Sequence, residues 1–358
     1  MLLFYPNYFL QAEFWVDFWQ TTNPSEHQYF TFEEELEGFK ISCFVYQYSW
    51  HLEQKFRYIP RFPGLNFDPQ IEPDLLKKLS LKLLQKIVLD CQQNDICFLK
   101  LDFEDQLASI LDIQTESELK DFCQKNKQNL KVKTTTKKLQ WNQTITLNLE
   151  PLLIQKEKII SAIQDEQVST EKLADFFKTS KDFWQTTNQN VRRYTKKVLD
   201  SNWQISIAKN EVNFEAFWQV YNLTKDRQQF HIYSREYFSK LFNKDQSRIV
   251  VLRNENQVIA CWFGLVSDNT LTYLYGGNTP FSLENYGQYL LHLVAVNIAF
   301  DEDLQFYDLG GFDPAHGYAK FKENYKGNKR IFAGPIDIIF KTWTAAAIEL
   351  LAKLRNIF

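Results

Sequence analysis

The chain has 358 residues, more than one hydrophobic core usually serves, so two domains are expected. Apolar residues make up 44% and charged residues 24%, with 31 Phe, 17 Tyr and 9 Trp against 11 Gly and 10 Pro; this excludes a disordered or linker-dominated chain. A net charge of −3 argues against a protein devoted wholly to nucleic acid, but the charge is uneven. Residues 1–40 hold seven acids against Lys40, and residues 120–138 hold seven lysines against Asp121, a basic strip suited to phosphates.

In chain order, residues 8–20 (YFLQAEFWVDFWQ) have helical spacing, with Phe14, Trp15, Phe18 and Trp19 on one face. HQYFTFE and GFKISCFVYQYSW alternate as strands around an acidic turn at Gly38, and KFRYIPRFPG is a third extended piece. PDLLKKLSLKLLQKIVLDCQ (73–92) opens on Pro73 and keeps helical spacing. ICFLKLD then reads as a buried strand, and residues 105–138 are polar and lysine-rich. WNQTITLNLE (141–150) alternates again, and residues 151–200 are helical in pattern, ending in the basic helix NQNVRRYTKKVLD.

The second half repeats that order. FEAFWQVYNLTKDR is an aromatic helix; SRIVVLRN, NQVIACWFGLVSD and TLTYLYGG form a meander with polar turns; residues 284–302 are a long helix; QFYDLGG is a buried strand. Two similar α/β units follow, residues 1–150 and 151–330, with 331–358 returning to the first. The heptapeptide DFWQTTN occurs at Asp17–Asn23 and Asp182–Asn188, outside that repeat offset, and carries no weight in this reading. The tail IDIIFKTWTAAAIELLAKLRNIF reads as an amphipathic helix expected to pack on the body, peripheral membrane contact being the alternative.

Five scattered cysteines without C-x-x-C, and five dispersed histidines, predict reduced thiols and no metal centre. The apolar start lacks a basic leader region and no apolar run nears ~20 residues, so a cytoplasmic protein is expected. Residues 305–327 (QFYDLGGFDPAHGYAKFKENYKG) place a double-glycine turn between a strand and a helix bearing Lys320, Phe321, Lys322 and Tyr325, an arrangement that lines sites for anionic or polar ligands.

Helix, antiparallel meander, long helix and further strand is the order of GNAT acyltransferases. Members that use acetyl-CoA hold its pyrophosphate on a glycine-rich turn before the long helix. Here that junction reads YGGNTPFSLENYGQYLLH, without G-x-G at the helix start, so no CoA cofactor is expected. The second half resembles the FemABX family of peptidoglycan-bridge aminoacyltransferases, through NQNVRRYTKKV, TKDRQQFHIYSREYF, TYLYGG, and FYDLGG followed by YAKFKENYKG. YFLQAEFWVDFW, RYIPRFPG and CFLKLDFED match its first half more weakly. Acidic WVDFWQTT stands where the family commonly has a basic residue, and Gln11–Ala12 replaces its Gln–Ser pair.

The resemblance implies an α/β (α+β) protein of two tandem GNAT-like domains, each a mixed, largely antiparallel sheet with flanking helices. It implies transfer of an amino acid from aminoacyl-tRNA to an amine of UDP-MurNAc-pentapeptide or a lipid-linked muropeptide, at the inner face of the membrane if lipid-linked. Catalysis falls to Lys322, whose ammonium stabilises the tetrahedral oxyanion. Acceptor binding falls to Arg227, Tyr237, Tyr275, Phe321 and Asp102, and the tRNA acceptor end to Arg192, Arg193, Lys196 and Lys197. Asp308 is expected to hold the glycine turn, and His316 to be solvated. A non-catalytic twin-GNAT binding protein, or a GNAT enzyme with another acyl donor, is the alternative.

Overall fold

A computed structural model of the protein describes residues 9–49, 54–62, 71–104, 111, 113, 115–126, 128, 130–135, 139–164 and 167–341. The chain forms two compact units, residues 1–142 with 331–358, and residues 143–330.

The first unit runs α1 (Glu13–Thr22), β1 (His27–Leu36), β2 (Phe39–Ser49), β3 (Lys55–Phe62), α2 (Pro73–Gln93), β4 (Phe98–Glu104), α3 (Glu116–Lys125) and β5 (Lys131–Thr134). β1 and β2 meet at Leu36↔Phe39 across Glu37–Gly38, both at positive φ, the two-residue turn whose twist suits a hairpin. Helix α2 has Pro73 in its first turn and buries Leu75, Leu76, Leu79, Leu83, Leu84, Ile87, Val88 and Cys91 along one stripe. Each such aliphatic side chain contributes about 1.5–3 kcal/mol on burial, which holds the helix on its sheet. Gln11 is buried: its amide donates to the carbonyls of Phe44 and Pro60 and accepts from the Phe44 N–H, tying β2 to β3.

The second unit runs β6 (Gln143–Asn148), α4 (Glu150–Leu153), β7 (Ile163–Gln164), β8 (Gln167–Val168), α5 (Thr170–Thr179), α6 (Lys181–Gln185), α7 (Gln189–Leu199) and β9 (Gln204–Ser206). It continues with α8 (Glu211–Gln228), α9 (Arg235–Phe242), the meander β10 (Ser247–Asn254), β11 (Gln257–Ser267), β12 (Thr270–Asn278), then α10 (Pro280–Glu284), α11 (Gly287–Asp301), β13 (Phe306–Gly311) and α12 (Gly317–Glu323). Residues 289–300 of α11 are buried all round, as befits a helix without a polar face. The long helix expected over 284–302 is α11, which begins at Gly287; the short α10 ends at Glu284, and Tyr286 between the two takes φ +65°.

The repeat of element order is present in the pairing as well. In each unit the third meander strand pairs in parallel with the strand after the long helix, β3 with β4 and β12 with β13. Each of those last strands then has an antiparallel neighbour, β14 (Asn328–Ile339) for β4 and β6 for β13. Residues 143–148, counted with the first half in the sequence, thus belong to the second sheet, because Leu147 and Thr146 pair with Tyr307 and Asp308. Residues 336–339, read as the start of a tail helix, are strand: they pair with both β4 and β5, and Ile336 and Ile338 are buried. Residues 342–358 lie outside the described residues.

The repeated heptapeptide does adopt one local structure twice. In each copy the two threonine hydroxyls donate three residues back, Thr21 to Phe18 and Thr22 to Trp19, Thr186 to Phe183 and Thr187 to Trp184.

Candidate active site

The site is built where β13 turns into α12. The parallel pairing of β12 and β13 covers three residue pairs and stops at Thr272↔Asp308. Two residues on, Gly310 takes φ +73° with its Cα pressed against the Tyr273 carbonyl; a Cβ there would stand 2.2 Å from that oxygen. Only glycine fits. Asp308 sets the turn as expected, its Oδ1 accepting from the Gly310 N–H at 2.7 Å while Thr146 reaches Oδ2 at 3.4 Å. Helix α12 then brings Lys322 back over the turn, and Nζ donates to the Gly311 carbonyl at 2.6 Å.

Lys322 is only 7% exposed. Its Nζ lies 5.5 Å from the Tyr273 ring centroid and 5.0 Å from that of Tyr318. Burial pulls its pKa down to about 8, against the opposing pull of the Asp308 carboxylate. Asp308, fully buried, has its own pKa raised by desolvation, with Arg330 and the Gly310 N–H opposing. Behind the lysine, Trp262 Nε1–H donates to the Tyr307 hydroxyl at 3.0 Å, which leaves the Tyr307 proton for His292 Nδ1. Burial and the Lys322 charge push His292 down to about 3, so it is a neutral acceptor. The local chemistry is a partly desolvated ammonium beside a backbone carbonyl, the Asp308 carboxylate and ring faces. Such a group stabilises developing negative charge strongly because little water competes with it. His316, the tempting base, is exposed and 3.1 Å from Asp313.

The other predicted residues separate into groups. Phe321 belongs to the Lys322 cluster, its ring 5.0 Å from Tyr289 and 5.2 Å from His292. Tyr237 and Tyr275 meet each other, hydroxyl to hydroxyl at 3.4 Å, within a cluster that includes Tyr221, Phe238 and exposed Tyr233. Burial and the neighbouring phenols raise the Tyr275 pKa well above its ordinary value. Arg227, exposed at the end of α8, donates to the Asn278 carbonyl at 2.8 Å.

A β-bulge keeps Tyr275 apart from Tyr273. Phe263 pairs with Tyr275 and the next residue, Gly264, with Tyr273, so Leu274 is extra on β12. The two tyrosines, two residues apart, therefore point to opposite faces. Tyr273 lies against Trp262 and His292 of the α11 side; Tyr275 lies against Tyr221 and Phe238 of the α8–α9 side. The glycines of TYLYGG serve packing: a Cβ on Gly277 would meet the Val220 carbonyl at 2.7 Å, and one on Gly276 the Tyr273 hydroxyl at 2.3 Å.

On α7, Arg193, Lys196 and Lys197 are exposed. Arg192 turns inward and donates to the carbonyls of Trp184, Gln185 and Thr187, closing the C-terminal end of α6. Asp102 lies in the first unit, 6% exposed, accepting from the Tyr58 hydroxyl and the Arg61 N–H. It fixes the irregularity of β3 between Ile59 and Phe62, where Arg61 has φ +57°. Sequence reasoning passed over Tyr194, Tyr286, Tyr289 and Tyr273. The spacing of Tyr286 and Tyr289, three apart at a helix start, is the one signal that marks them.

Among the described residues no cluster of metal-ligating side chains occurs, and no helix is long and apolar enough to cross a membrane. Residues 185–326 match the family model described as an acetyltransferase (GNAT) domain. No curated protein matches the chain by sequence. Among solved structures, FemX superposes with a TM-score of 0.67 at 12% identity, covering 98% of this chain and 95% of its own. A conserved protein of unknown function from Bacteroides thetaiotaomicron VPI-5482 superposes with a TM-score of 0.51 at 10% identity, covering 91% and 89%. By fold the chain is FemX-like over 98% of its length, and residues 185–326 within it are similar to the acetyltransferase (GNAT) domain model.

Proposed function

We propose that the protein is an aminoacyltransferase that moves an amino acid from aminoacyl-tRNA to an amine of a peptidoglycan-precursor stem peptide. The observation that carries this reading is Lys322, a 7%-exposed ammonium held on the Gly311 carbonyl beside a glycine turn. An aminoacyl ester is already activated, so the acceptor amine needs no side-chain nucleophile to attack it. Its nitrogen forms a bond to the ester carbon, and the carbonyl oxygen takes up charge that the Lys322 ammonium stabilises. The carbon–oxygen ester bond then breaks, the ribose oxygen leaves with a proton, and the amine loses one. Holding ester and amine together supplies much of the remaining acceleration. Arg227 and the Tyr237–Tyr275 pair are assigned to the acceptor, and the exposed cations of α7, Arg193, Lys196 and Lys197, to the RNA.

The test is to incubate the protein with charged tRNA and UDP-MurNAc-pentapeptide and to look for the mass of one added residue. Precursor binding without an adduct from any charged tRNA would refute the reading. The GNAT family match favours one second reading, an acyl-CoA donor. It predicts that acetyl-CoA raises the melting temperature and tRNA does not.

A further inference from the structure

Helix α11 buries His292 and Asn297 among its apolar side chains. Asn297 is engaged by the backbone, its Oδ1 accepting from the Ala162 N–H at 2.9 Å. His292, 3% exposed, is engaged on one side only. Tyr307 donates to its Nδ1 at 2.5 Å, and among the described residues no hydrogen bond reaches Nε2. The chain behind the imidazole leaves it one tautomer. An indole N–H can only donate, so Trp262 occupies a lone pair of the Tyr307 oxygen, and the single Tyr307 proton goes to Nδ1. A proton on Nδ1 would turn the Tyr307 proton away from its acceptor inside a fully buried residue. The neutral imidazole therefore carries its one N–H at Nε2. A buried donor without a partner calls for an explanation.

Nε2 points away from Tyr307, because the two nitrogens of an imidazole face nearly opposite ways. The other rings about His292 are those of Tyr273 and Phe321, each 5.2 Å away, and Tyr325, 5.6 Å away. Tyr273 also flanks Lys322 Nζ, and Phe321 precedes Lys322 in α12. We propose that His292 Nε2–H is a second hydrogen-bond donor to the oxygen whose charge Lys322 stabilises, held in that role by the Trp262–Tyr307 pair. The proposal rests on the transferase reading above and adds a catalytic residue to it. As the acceptor nitrogen bonds to the ester carbon, the carbonyl electron pair moves onto oxygen and the Nε2–H bond to it tightens. When the carbon–oxygen ester bond breaks, that pair returns to the carbonyl, and His292 has given up no proton. A neutral donor suits the place, since a second cation in the same desolvated space would drive the proton off Lys322.

Two measurements on the full chain test it. In the transfer assay His292→Leu should lower kcat by about 100-fold and leave KM within about twofold. His292→Gln, whose amide N–H stands near the place of Nε2–H and does not titrate, should recover the rate to within about tenfold of the parent. His292→Asn, whose shorter amide stands near Nδ1, should not recover it. A leucine variant as fast as the parent, or a glutamine variant no faster than asparagine, overturns the donor role; the second contrast holds even if the leucine variant does not fold. The other measurement needs no transfer chemistry. In the parent labelled with 15N-histidine, His292 should show an Nε2–H resonance that does not titrate between about pH 5 and 8 and that moves downfield as sodium acetate is added. Acetate is the probe, its carboxylate oxygen standing for the oxyanion. An Nδ1–H tautomer, or a resonance that acetate leaves in place, overturns the proposal. An acetate response without aminoacyl transfer would refute the proposed activity and leave the donor standing; transfer undiminished in His292→Leu would do the reverse.

Discussion

Replacing Lys322 by Met removes a buried charge and keeps most of the side-chain volume, so stability and activity should move in opposite directions. The unfolded lysine holds its proton up to pH 10.5, while the folded one releases it from about pH 8. A folded pKa below the unfolded one means that the charge costs stability. That cost is complete below about pH 8, shrinks as pH rises through the window, and is gone above 10.5. The drop corresponds to about 3 kcal/mol. Against it stands the hydrogen bond to the Gly311 carbonyl, worth about 1 kcal/mol. The expected net gain for Lys322→Met at pH 7 is about 2 kcal/mol, or about 4–8 °C in melting temperature for a unit of this size. Thermal melts at pH 7 and pH 10 read it, and aminoacyl transfer should fall by about 100-fold or more. A variant that melts below the parent at pH 7, or whose advantage persists unchanged at pH 10, refutes the claim that the ammonium is desolvated at a cost.

Asp308→Asn keeps an acceptor for the Gly310 N–H but removes the charge that supports the Lys322 proton. The high-pH limb of the transfer rate should move to lower pH; an unmoved limb in the pH–rate profile contradicts the coupling. Arg192→Ala frees the carbonyls of residues 184, 185 and 187, and should cost about 2 kcal/mol in a urea titration without altering the salt dependence of RNA binding. A changed salt slope would mean that Arg192 meets phosphate after all.

The order of elements was legible because each carries its own period: the apolar stripe of α2, the alternation of the meander strands, and the continuous apolar run of α11. The turn at Gly310–Gly311 was legible because few residues other than glycine take φ +73°. Three features were not. Leu274 is one unpaired residue in an alternating strand, and nothing local marks the insertion that sends Tyr273 and Tyr275 to opposite faces. The boundary before Gln143 depends on pairing with β13, some 160 residues away, and long-range pairing leaves no trace in local pattern. On α7, Arg192 and Arg193 are adjacent and chemically alike. Only the fold gives one to backbone carbonyls and the other to a ring.

The strand return has a consequence for synthesis. β4 acquires its antiparallel neighbour only from residues 332–339, which leave the ribosome after the whole second unit. Until then β4 presents an unpaired edge with Leu99, Leu101 and Phe103 behind it, a template for wrong partners. The second unit, by contrast, is contiguous from 143 to 330 and can complete its sheet as it emerges. The order of birth is therefore the reverse of the order of completion: the unit that appears first is closed last, by its own strand made after the other unit.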